Sequence, residues 1–292
     1  GGFRLGMESA GFSTVFANDI DPRAKLTYDL NSETKLTLGD ITDIPLSSIP
    51  EFDCLTGGFP CQPFSRTGKK EGFKDSRGNL FFHIASIIKN RRPSSFILEN
   101  VAHLYRHDNG NTFNVIKNTL RDELGYNVFY KTLSSMHYGI PQARERVFIV
   151  GLDKTTRFEF PEPIHLGISV RDLLEDDVAE KYYYRSDHKH YKVMSKVVKD
   201  PDKVYQWRWS YVRENKKNVC PTLLASNSTP ILIYDKGVRT LTPREQFRLQ
   251  GFPDDFLLPD TLSDRSLYHQ AGNSVTTNVV KAIADRIRIS MS

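Results

Sequence analysis

The amino-acid sequence predicts an α/β fold, in which a doubly wound, mostly parallel sheet is followed by a smaller, irregular domain. Short β-rich runs alternate with helical stretches through the first half of the chain, a pattern typical of a parallel sheet covered by helices on both faces. A polar, basic segment without helical periodicity then interrupts the alternation, and helical character returns before the chain ends.

The chain opens on Gly1 and Gly2, which have the pattern of the end of a glycine-rich loop leading into a helix. No strand precedes them, although a doubly wound sheet would begin with one. We therefore expect the first strand to lie upstream of Gly1, and the alternative is a sheet that is short by one strand.

Six runs rich in β-branched and aromatic residues are predicted strands, and they cover residues 13–17, 35–38, 52–56, 95–98, 128–133 and 147–150. Helix-like segments at 80–89 and 114–123 lie between them. Because ligands of such sheets bind beyond the carboxyl ends of the strands, the residues that follow each run are candidates for a functional site.

The alternation ends after residues 161–163, and residues from about 175 to 236 predict a smaller domain. Further on, Thr242 can cap a helix, Pro243 suits its first position and Glu245 completes a capping box. Gly251 and Pro253 end that helix, and a last one over 276–289 has apolar residues at core spacing. The predicted divisions are a large domain (1–174), a small domain (175–237), a hinge (238–271) and a C-terminal helix returning to the large domain (272–292).

Composition narrows the class of protein. Hydrophobic residues make up 39% and charged residues 26%, as in ordinary globular proteins, and no apolar run approaches the roughly 18 residues that would cross a bilayer. The three cysteines, Cys54, Cys61 and Cys220, have neither the spacing of a disulfide framework nor that of zinc ligands. We expect a protein of a reducing cytosol, with at least one thiol free for chemistry.

The net charge of +5 is concentrated in one stretch of the chain. Residues 181–217 contain 11 Lys or Arg against 4 Asp or Glu, together with both tryptophans, Trp207 and Trp209, and six tyrosines. Interleaved basic and aromatic residues suit a nucleic-acid surface, which is the interpretation we favour. The alternative is a solvated face whose aromatic residues form the core of the small domain.

Cys61 is the first candidate for chemistry. A short apolar strand runs into two glycines and then places Cys61 between prolines, on a loop at the carboxyl end of the strand. The prolines fix the backbone and the glycines let another molecule approach, so we interpret Cys61 as a nucleophile rather than an inert buried residue. Residues 66–79 could form a mobile lid, and Cys54, inside the strand, is assigned to the core.

Glu99, Arg144 and Arg146 are the next candidates. Glu99 ends an apolar strand and points a carboxyl group toward the region of Cys61, where it could act as an acid; its alternative role is to cap the helix that follows. Arg144 and Arg146 occupy alternate positions of an extended segment and so face the same way. They could donate to a carbonyl or a phosphate, or form a salt-bridged edge.

These residues fall within five ordered motifs that resemble those of the C5-cytosine DNA methyltransferases. The motifs are Gly58-Phe59-Pro60-Cys61-Gln62-Pro63-Phe64-Ser65, Glu99-Asn100-Val101, Gln142-x-Arg144-x-Arg146, Arg239-x-Leu241-Thr242-x-Arg244-Glu245 and Gly272-Asn273-Ser274-Val275. The resemblance extends from Gly1 to the end of the chain. Residues 107–112 and 138–142 look especially similar to the smaller bacterial members associated with restriction systems.

The resemblance implies the Rossmann-like fold of S-adenosylmethionine-dependent methyltransferases, with 1–174 as the catalytic and cofactor-binding domain and 175–237 as the target-recognition domain. It implies that a Cys61 thiolate adds to carbon 6 of cytosine while Glu99 protonates or hydrogen-bonds ring nitrogen 3. Arg146 would contact the carbonyl oxygen of the base, and Arg144 would brace the lid and Glu99. The methyl donor would be S-adenosylmethionine, the product S-adenosylhomocysteine, and no metal is expected.

The resemblance also implies the residues that hold the cofactor, and these are Gly1, Gly2, Asp19, Ile20, Asp40, Ile41, Pro60, Leu80, Asn273 and Val275. Only the end of the family's glycine-rich loop is present at Gly1 and Gly2. A nicotinamide dinucleotide enzyme would also begin with glycines, but its G-x-G-x-x-G pattern is absent.

A base inside a duplex must be flipped out before it is methylated, and the lid would fill the gap. The residues expected to contact DNA are Gln62, Ser65 and Thr67 of the loop, Gln142, then Gln206, Arg208 and Arg213 at base edges, and Thr222 at a phosphate, with Lys69 and Lys70 as further loop candidates. Residues 223–229 lack the glycines usual for the family, which implies altered target recognition or a missing loop.

We therefore expect a DNA (cytosine-5-)-methyltransferase of a restriction-modification system. It would act as a monomer on double-stranded DNA in a bacterial cytoplasm, with a cognate restriction endonuclease as its functional partner. One alternative is a transfer-RNA methyltransferase on the same scaffold, against which the separate basic-aromatic domain argues. The other is a catalytically silent DNA-binding module, which the presence of Cys61, Glu99 and Arg146 disfavours.

Overall fold

The computed structural model describes residues 1–60, 80–154, 157–215 and 218–291. In chain order its helices and strands are α1 (Gly2–Ser9), β1 (Asn18–Asp19), α2 (Pro22–Leu30), β2 (Thr37–Leu38), β3 (Cys54–Gly58), α3 (Leu80–Arg91), β4 (Ser95–Val101), α4 (Asn111–Asn118), β5 (Asn127–Ser134), β6 (Gln142–Ala143), β7 (Glu145–Leu152), α5 (Tyr191–Val197), β8 (Val204–Arg208), β9 (Tyr211–Asn215), β10 (Cys220–Pro221), β11 (Ile231–Tyr234), β12 (Val238–Thr240), α6 (Pro243–Arg248), α7 (Asp264–Asn273) and α8 (Thr277–Met291).

The chain forms two compact units that interleave along the sequence. Unit 1 comprises Gly1–Ser9, Ser134–Arg144 and Glu162–Lys281, and unit 2 comprises Ala10–Leu133, Glu145–Pro161 and Ala282–Ser292. The sequence-based boundaries at residues 174, 237 and 271 divide the chain by expected function, whereas the two units are defined by compactness. Those boundaries stay a prediction.

Unit 2 contains a four-stranded sheet in the order β3-β4-β7-β5 and a two-stranded parallel sheet of β1 and β2. Strands β3 and β4 are parallel, whereas β4 and β7 are antiparallel. The predicted strand at 13–17 is wrong, because the strand β1 comes after it and covers only Asn18 and Asp19. The predicted helix at 114–123 begins earlier, at Asn111, and its last turn is a π-turn over Thr119–Glu123.

The core of unit 2 lies between its four-stranded sheet and the helices α3 and α4. Phe81, Ile84, Ala85 and Ile88 of α3 are buried at the i, i+3, i+4 and i+7 spacing of an amphipathic helix. Phe96 and Leu98 of β4 are fully buried against the same cluster. This packing fixes the direction of β4, whose carboxyl end carries Glu99.

Unit 1 contains an antiparallel sheet in the order β12-β11-β8-β9. One face packs on a cluster that includes Val204 and Ile231, and the other on a cluster that includes Tyr205 and Trp207. Because both faces of β8 are buried, its sequence lacks the alternation that identifies a half-exposed strand, so the region has no clear strand signal. The sheet replaces the irregular structure that the sequence predicts for this domain.

The aromatic residues in 181–217 divide between the core and the surface of unit 1, and a nucleic-acid contact of the exposed ones stays a prediction. Tyr205 and Trp207 are 1% and 8% exposed and belong to the core of unit 1. Trp209 and Tyr211 are 84% and 58% exposed. Neighbouring aromatic residues of one hairpin are therefore divided between core and surface.

Helix α6 begins with the predicted capping box. The Thr242 hydroxyl accepts from the Glu245 amide, and the Glu245 carboxylate accepts from the Thr242 amide, with Pro243 at the first position. Glu245 is fully buried and also forms a bidentate ion pair with Arg239, which is equally buried. The capping residue thus also ties strand β12 to helix α6.

Candidate active site

The carboxyl ends of β3 and β4 meet the amino end of β7 at one edge of the unit 2 sheet. Gly58 pairs with Glu99, and Val101 pairs with Arg146. A Cβ atom at Gly58 would lie 3.3 Å from Oε2 of Glu99. A side chain at Gly58 would therefore crowd this carboxylate.

Glu99 and Arg146 form an ion pair at this edge, with 2.9 Å between Nε of Arg146 and Oε1 of Glu99. Their side chains are 16% and 15% exposed, so both are desolvated in large part yet still reachable from solvent. In such surroundings a carboxylate and a guanidinium interact more strongly with a polar ligand than they would in open water. Glu99 can accept a hydrogen bond or donate a proton, and Arg146 can donate a hydrogen bond from a cationic group, both to one flat polar molecule.

Asn100 supports the site in a way that sequence reasoning missed. Its buried side chain donates from Nδ2 to the carbonyl oxygen of Phe59 over 2.8 Å, and its Oδ1 accepts from the Val101 amide. The first bond fixes the backbone two residues before Cys61. Asn100 belongs to one of the five motifs, but only the fold shows that its amide reaches across to the neighbouring strand.

The two cysteines within the described ranges are poor nucleophiles. Burial raises the pKa of the Cys54 thiol to about 12 and raises that of Cys220 further. Thiols with raised pKa values stay protonated at neutral pH, and the thiolate is the reactive form. This supports the assignment of Cys54 to the core and leaves Cys61 as the candidate nucleophile.

Several predicted residues lie outside the described part of the chain, which omits residues 61–79. They are Cys61, Gln62, Ser65, Thr67, Lys69 and Lys70, together with the predicted lid at 66–79. Their roles stay predictions.

Four of the predicted cofactor residues lie at the ends of the neighbouring parallel strands β1 and β2 in unit 2. Asp19 pairs with Leu38 and ends β1, so that Ile20 follows β1 while Asp40 and Ile41 come after β2. Both carboxylates are exposed, and Ile20 is 66% exposed beside them. Hydrogen bonds from Thr42 hold the pKa of Asp40 below its usual value, so this group is an acceptor at neutral pH.

Four other cofactor candidates, Gly1, Gly2, Asn273 and Val275, lie in unit 1. A Cβ atom at Gly2 would be 2.5 Å from the carbonyl oxygen of Val275, so the two backbones are in close contact. Asn273 is exposed at the end of α7. Gly1 accepts the first hydrogen bond of α1, from Leu5. In unit 2, Pro60 is exposed and Leu80 begins α3.

Arg144 and Gln142 lie inside unit 1. Arg144 is 3% exposed and donates to the carbonyl oxygens of Leu223, Gly272 and Ser274. Gln142 is fully buried and bonds to the backbone of Leu249 and Leu223. These contacts give both residues a role in holding the backbone; the predicted bracing of Glu99 by Arg144 and the predicted DNA contact of Gln142 stay untested.

The remaining predicted DNA contacts lie around the β8–β9 hairpin and after it. Gln206 is 3% exposed and donates to the Thr229 hydroxyl, so in this structure its amide lies inside unit 1. Arg208 is half-buried and Arg213 is exposed. Thr222 donates its hydroxyl to the carbonyl oxygen of Ala143. Contact of these four residues with DNA stays a prediction.

Within the described ranges, no three His, Cys, Asp or Glu side chains are grouped as they would be around a metal ion. Over the same ranges, none of the helices combines the length and apolar character that crossing a membrane requires.

Known proteins are similar to this chain over nearly its whole length. A family model described as C-5 cytosine-specific DNA methylase matches residues 1–288. Type II methyltransferase M.Bsp6I of Bacillus sp. (strain RFL6) is 43% identical over 305 residues, covering 100% of this chain and 96% of the relative. Type II methyltransferase M.HaeII of Haemophilus aegyptius is 43% identical over 288 residues, covering 97% and 88%.

A solved structure gives the same result for the fold. The S. pombe Dnmt2 methyltransferase superposes with a TM-score of 0.73 at 20% identity, covering 100% of this chain and 94% of the other. Together with the mixed sheet and its flanking helices, this likeness confirms the predicted fold class.

Proposed function

The chain belongs to the C-5 cytosine-specific DNA methylase family and is a DNA cytosine-5 methyltransferase, and we propose that it acts through a temporary bond between Cys61 and carbon 6 of a flipped-out cytosine. The observation that carries this proposal is the Glu99–Arg146 pair at the end of β4. Gly58 pairs with Glu99, and Cys61 follows Gly58 by three residues.

The chemistry explains why these residue types are needed. Carbon 5 of cytosine is a poor nucleophile while the ring is aromatic. When the sulfur of Cys61 bonds to carbon 6, the electron pair of the carbon 5–carbon 6 double bond moves to carbon 5. Glu99 stabilises this state by a proton or hydrogen bond at ring nitrogen 3, and Arg146 by donating to the carbonyl oxygen of the base.

In this assignment Glu99 and Arg146 exchange part of their ion pair for contacts with the base. In the structure the Arg146 guanidinium holds the Glu99 carboxylate, so the pair is positioned before any base arrives. A bound cytosine would accept a hydrogen bond from Arg146 at its carbonyl oxygen and interact with Glu99 through ring nitrogen 3. These contacts would replace part of the ion pair by contacts of similar polarity. After carbon 5 has been methylated, loss of its proton re-forms the carbon 5–carbon 6 double bond, and the carbon 6–sulfur bond breaks to release Cys61 as a thiolate.

S-adenosylmethionine supplies an electrophilic methyl group when it is bound. The residues of unit 2 suit its nucleoside half, because Asp19 and Asp40 present carboxylate oxygens at strand ends and Ile20 presents an exposed apolar surface beside them. Carboxylates accept from ribose hydroxyls, and apolar side chains pack on an adenine ring. We assign Asp19, Ile20, Asp40 and Ile41 to that half, with Pro60, Leu80, Gly1, Gly2, Asn273 and Val275 as further contacts.

The two bacterial relatives described above are both named as Type II methyltransferases, which supports a role in restriction-modification. We assign the protein to the protection of a cell's own DNA from a partner endonuclease. It acts as a monomer on double-stranded DNA in the bacterial cytoplasm.

Methyl-acceptor specificity tests the proposed substrate. Purified protein incubated with a radiolabelled methyl donor is expected to label cytosine in genomic duplex DNA and to leave transfer RNA unlabelled. Cys61→Ser is expected to lose this activity, whereas Cys54→Ser is the matched control and retains it, since Cys54 lies within β3 as a neutral thiol. Equal labelling by the Cys61→Ser protein would contradict the assigned nucleophile, and labelling of transfer RNA alone would contradict the substrate.

A further inference from the structure

The turn between β8 and β9 carries an exposed tryptophan. Arg208 pairs with Tyr211 as the last pair of the ladder, so Trp209 and Ser210 form a two-residue turn. Trp209 is 84% exposed, whereas Trp207, two residues earlier, is 8% exposed within the core of unit 1. The hairpin therefore holds one indole in the core and extends the other into solvent.

Both the exposure and the backbone conformation of this position are unfavourable for tryptophan. The φ angle of Trp209 is +58°, in the left-handed region, and a two-residue hairpin turn with positive φ at its first position normally has glycine there. Exposing a large indole also forgoes the benefit of burying it. A residue that fits its position so poorly in the free protein is explained if the ring is buried against a partner.

The surroundings of Trp209 indicate the chemistry of that partner. Cross-strand pairing places Arg208, Tyr211 and Arg213 on one face of the hairpin, with Tyr211 58% exposed. Glu214 lies on the opposite face and is engaged by Lys203. The tip therefore combines two aromatic rings with two guanidinium groups, and the segment 181–217 as a whole carries +7.

This combination matches a nucleic acid better than an apolar partner. Phosphates attract the guanidinium groups, and the face of a base stacks on an aromatic ring. We propose that Trp209 stacks on or wedges against a base of the DNA substrate, with Arg208 and Arg213 beside it as cationic donors. The proposal rests on the proposed function, because it names a contact made to that same substrate.

Two substitutions separate the ring from the backbone. Trp209→Gly removes the indole but suits the positive φ, so the variant should unfold at the same temperature as the unsubstituted protein or a higher one. It is expected to bind sonicated genomic duplex DNA about 10-fold more weakly, the effect of losing one stacked base. Trp209→Phe keeps an aromatic ring and should bind within about 3-fold of the unsubstituted protein.

Fluorescence gives a readout that a merely structural role would not move. The chain has two tryptophans, and the one in the core should not respond to ligand. Adding duplex DNA is expected to change the emission of the unsubstituted protein and to protect it from iodide quenching. The Trp209→Phe protein should show neither effect although it still binds.

The outcomes distinguish this inference from the proposed function. If the unsubstituted protein methylates DNA and Trp209→Gly binds and methylates equally well, the inference is overturned and the function stands. An emission that responds to folded RNA but not to duplex DNA also overturns it. If the unsubstituted protein neither binds nor methylates duplex DNA, both fail together.

Discussion

Glu99→Gln is expected to lower the rate of methyl transfer by about 10²- to 10⁴-fold, the range typical of losing a general acid or base. Glutamine has the same shape and can still accept a hydrogen bond from Arg146, but it cannot hold a proton for ring nitrogen 3. It also lacks the negative charge that faces the Arg146 guanidinium at 2.9 Å. The loss should therefore fall on the chemical step rather than on DNA binding.

The measurement is single-turnover methyl transfer to genomic duplex DNA, with thermal unfolding followed in parallel. Because the Arg146 guanidinium is only 15% exposed and would lose its counter-charge, we expect the substitution to cost about 1–3 kcal/mol of stability. Glu145→Gln is the matched control, since it removes the same charge from the exposed residue next to Arg146. A Glu99→Gln protein that transfers methyl groups within about 3-fold of the unsubstituted rate would contradict the role assigned to Glu99.

Arg239→Ala is expected to lower the free energy of unfolding by about 3–5 kcal/mol. The Arg239 and Glu245 side chains are both fully buried and joined by two hydrogen bonds, of 2.9 and 2.7 Å. Removing the guanidinium leaves the Glu245 carboxylate charged and without its main partner inside unit 1. The cost is that of an unpaired buried charge, which exceeds the net contribution of an intact ion pair.

Urea unfolding of the unsubstituted and Arg239→Ala proteins at neutral pH measures this difference in the free energy of unfolding. Lys203→Ala is the control, because Lys203 immediately precedes β8 of the same sheet. Its ion pair with Glu214 is about 40% exposed on each side. Such a surface pair contributes about 0–1 kcal/mol. If Arg239→Ala changes the free energy of unfolding no more than Lys203→Ala does, the buried pair does not stabilise unit 1 in the way described.

The same cluster predicts a dependence on acid. Burial would raise the pKa of Asp235, but the hydrogen bond and charge of Arg239 outweigh it, so the pKa is lowered in the folded protein. The stability that Asp235 contributes is therefore complete at neutral pH and is lost as the pH falls toward the lowered value. In Arg239→Ala this part of the acid dependence should become smaller, although hydrogen bonds from the Lys236 amide and Tyr183 still lower the pKa of Asp235.

Local patterns predicted their elements well, because the interactions that decide them span only a few residues. The capping box depends only on Thr242 and Glu245, which are three residues apart, so the sequence shows it directly. Glu99 and the residues before Cys61 could likewise be placed at strand ends, since buried apolar strands precede them. Parallel pairing of β3 and β4 then brings these ends together, as the fold class requires.

Contacts between distant segments could not be read from the sequence in this way. The bond from Asn100 to Phe59 and the buried contacts of Gln142 depend on the pairing of strands that lie far apart along the chain. Amide side chains suit a surface and a satisfied interior equally, so residue type alone did not show that Gln206 is buried. For the same reason the sequence could not tell which of two nearby tryptophans faces the core.

The central claim is a temporary bond between the sulfur of Cys61 and carbon 6 of cytosine, and duplex DNA carrying 5-fluorocytosine in place of cytosine tests it most directly. Fluorine at carbon 5 cannot leave as the proton does, so the bond to sulfur cannot break after methyl transfer. With S-adenosylmethionine present, we predict a complex that survives denaturation and maps to the peptide containing Cys61, formed by the Cys54→Ser protein but not by Cys61→Ser. Methylation of ordinary duplex DNA without any such complex, or a complex formed through another residue, would contradict the account.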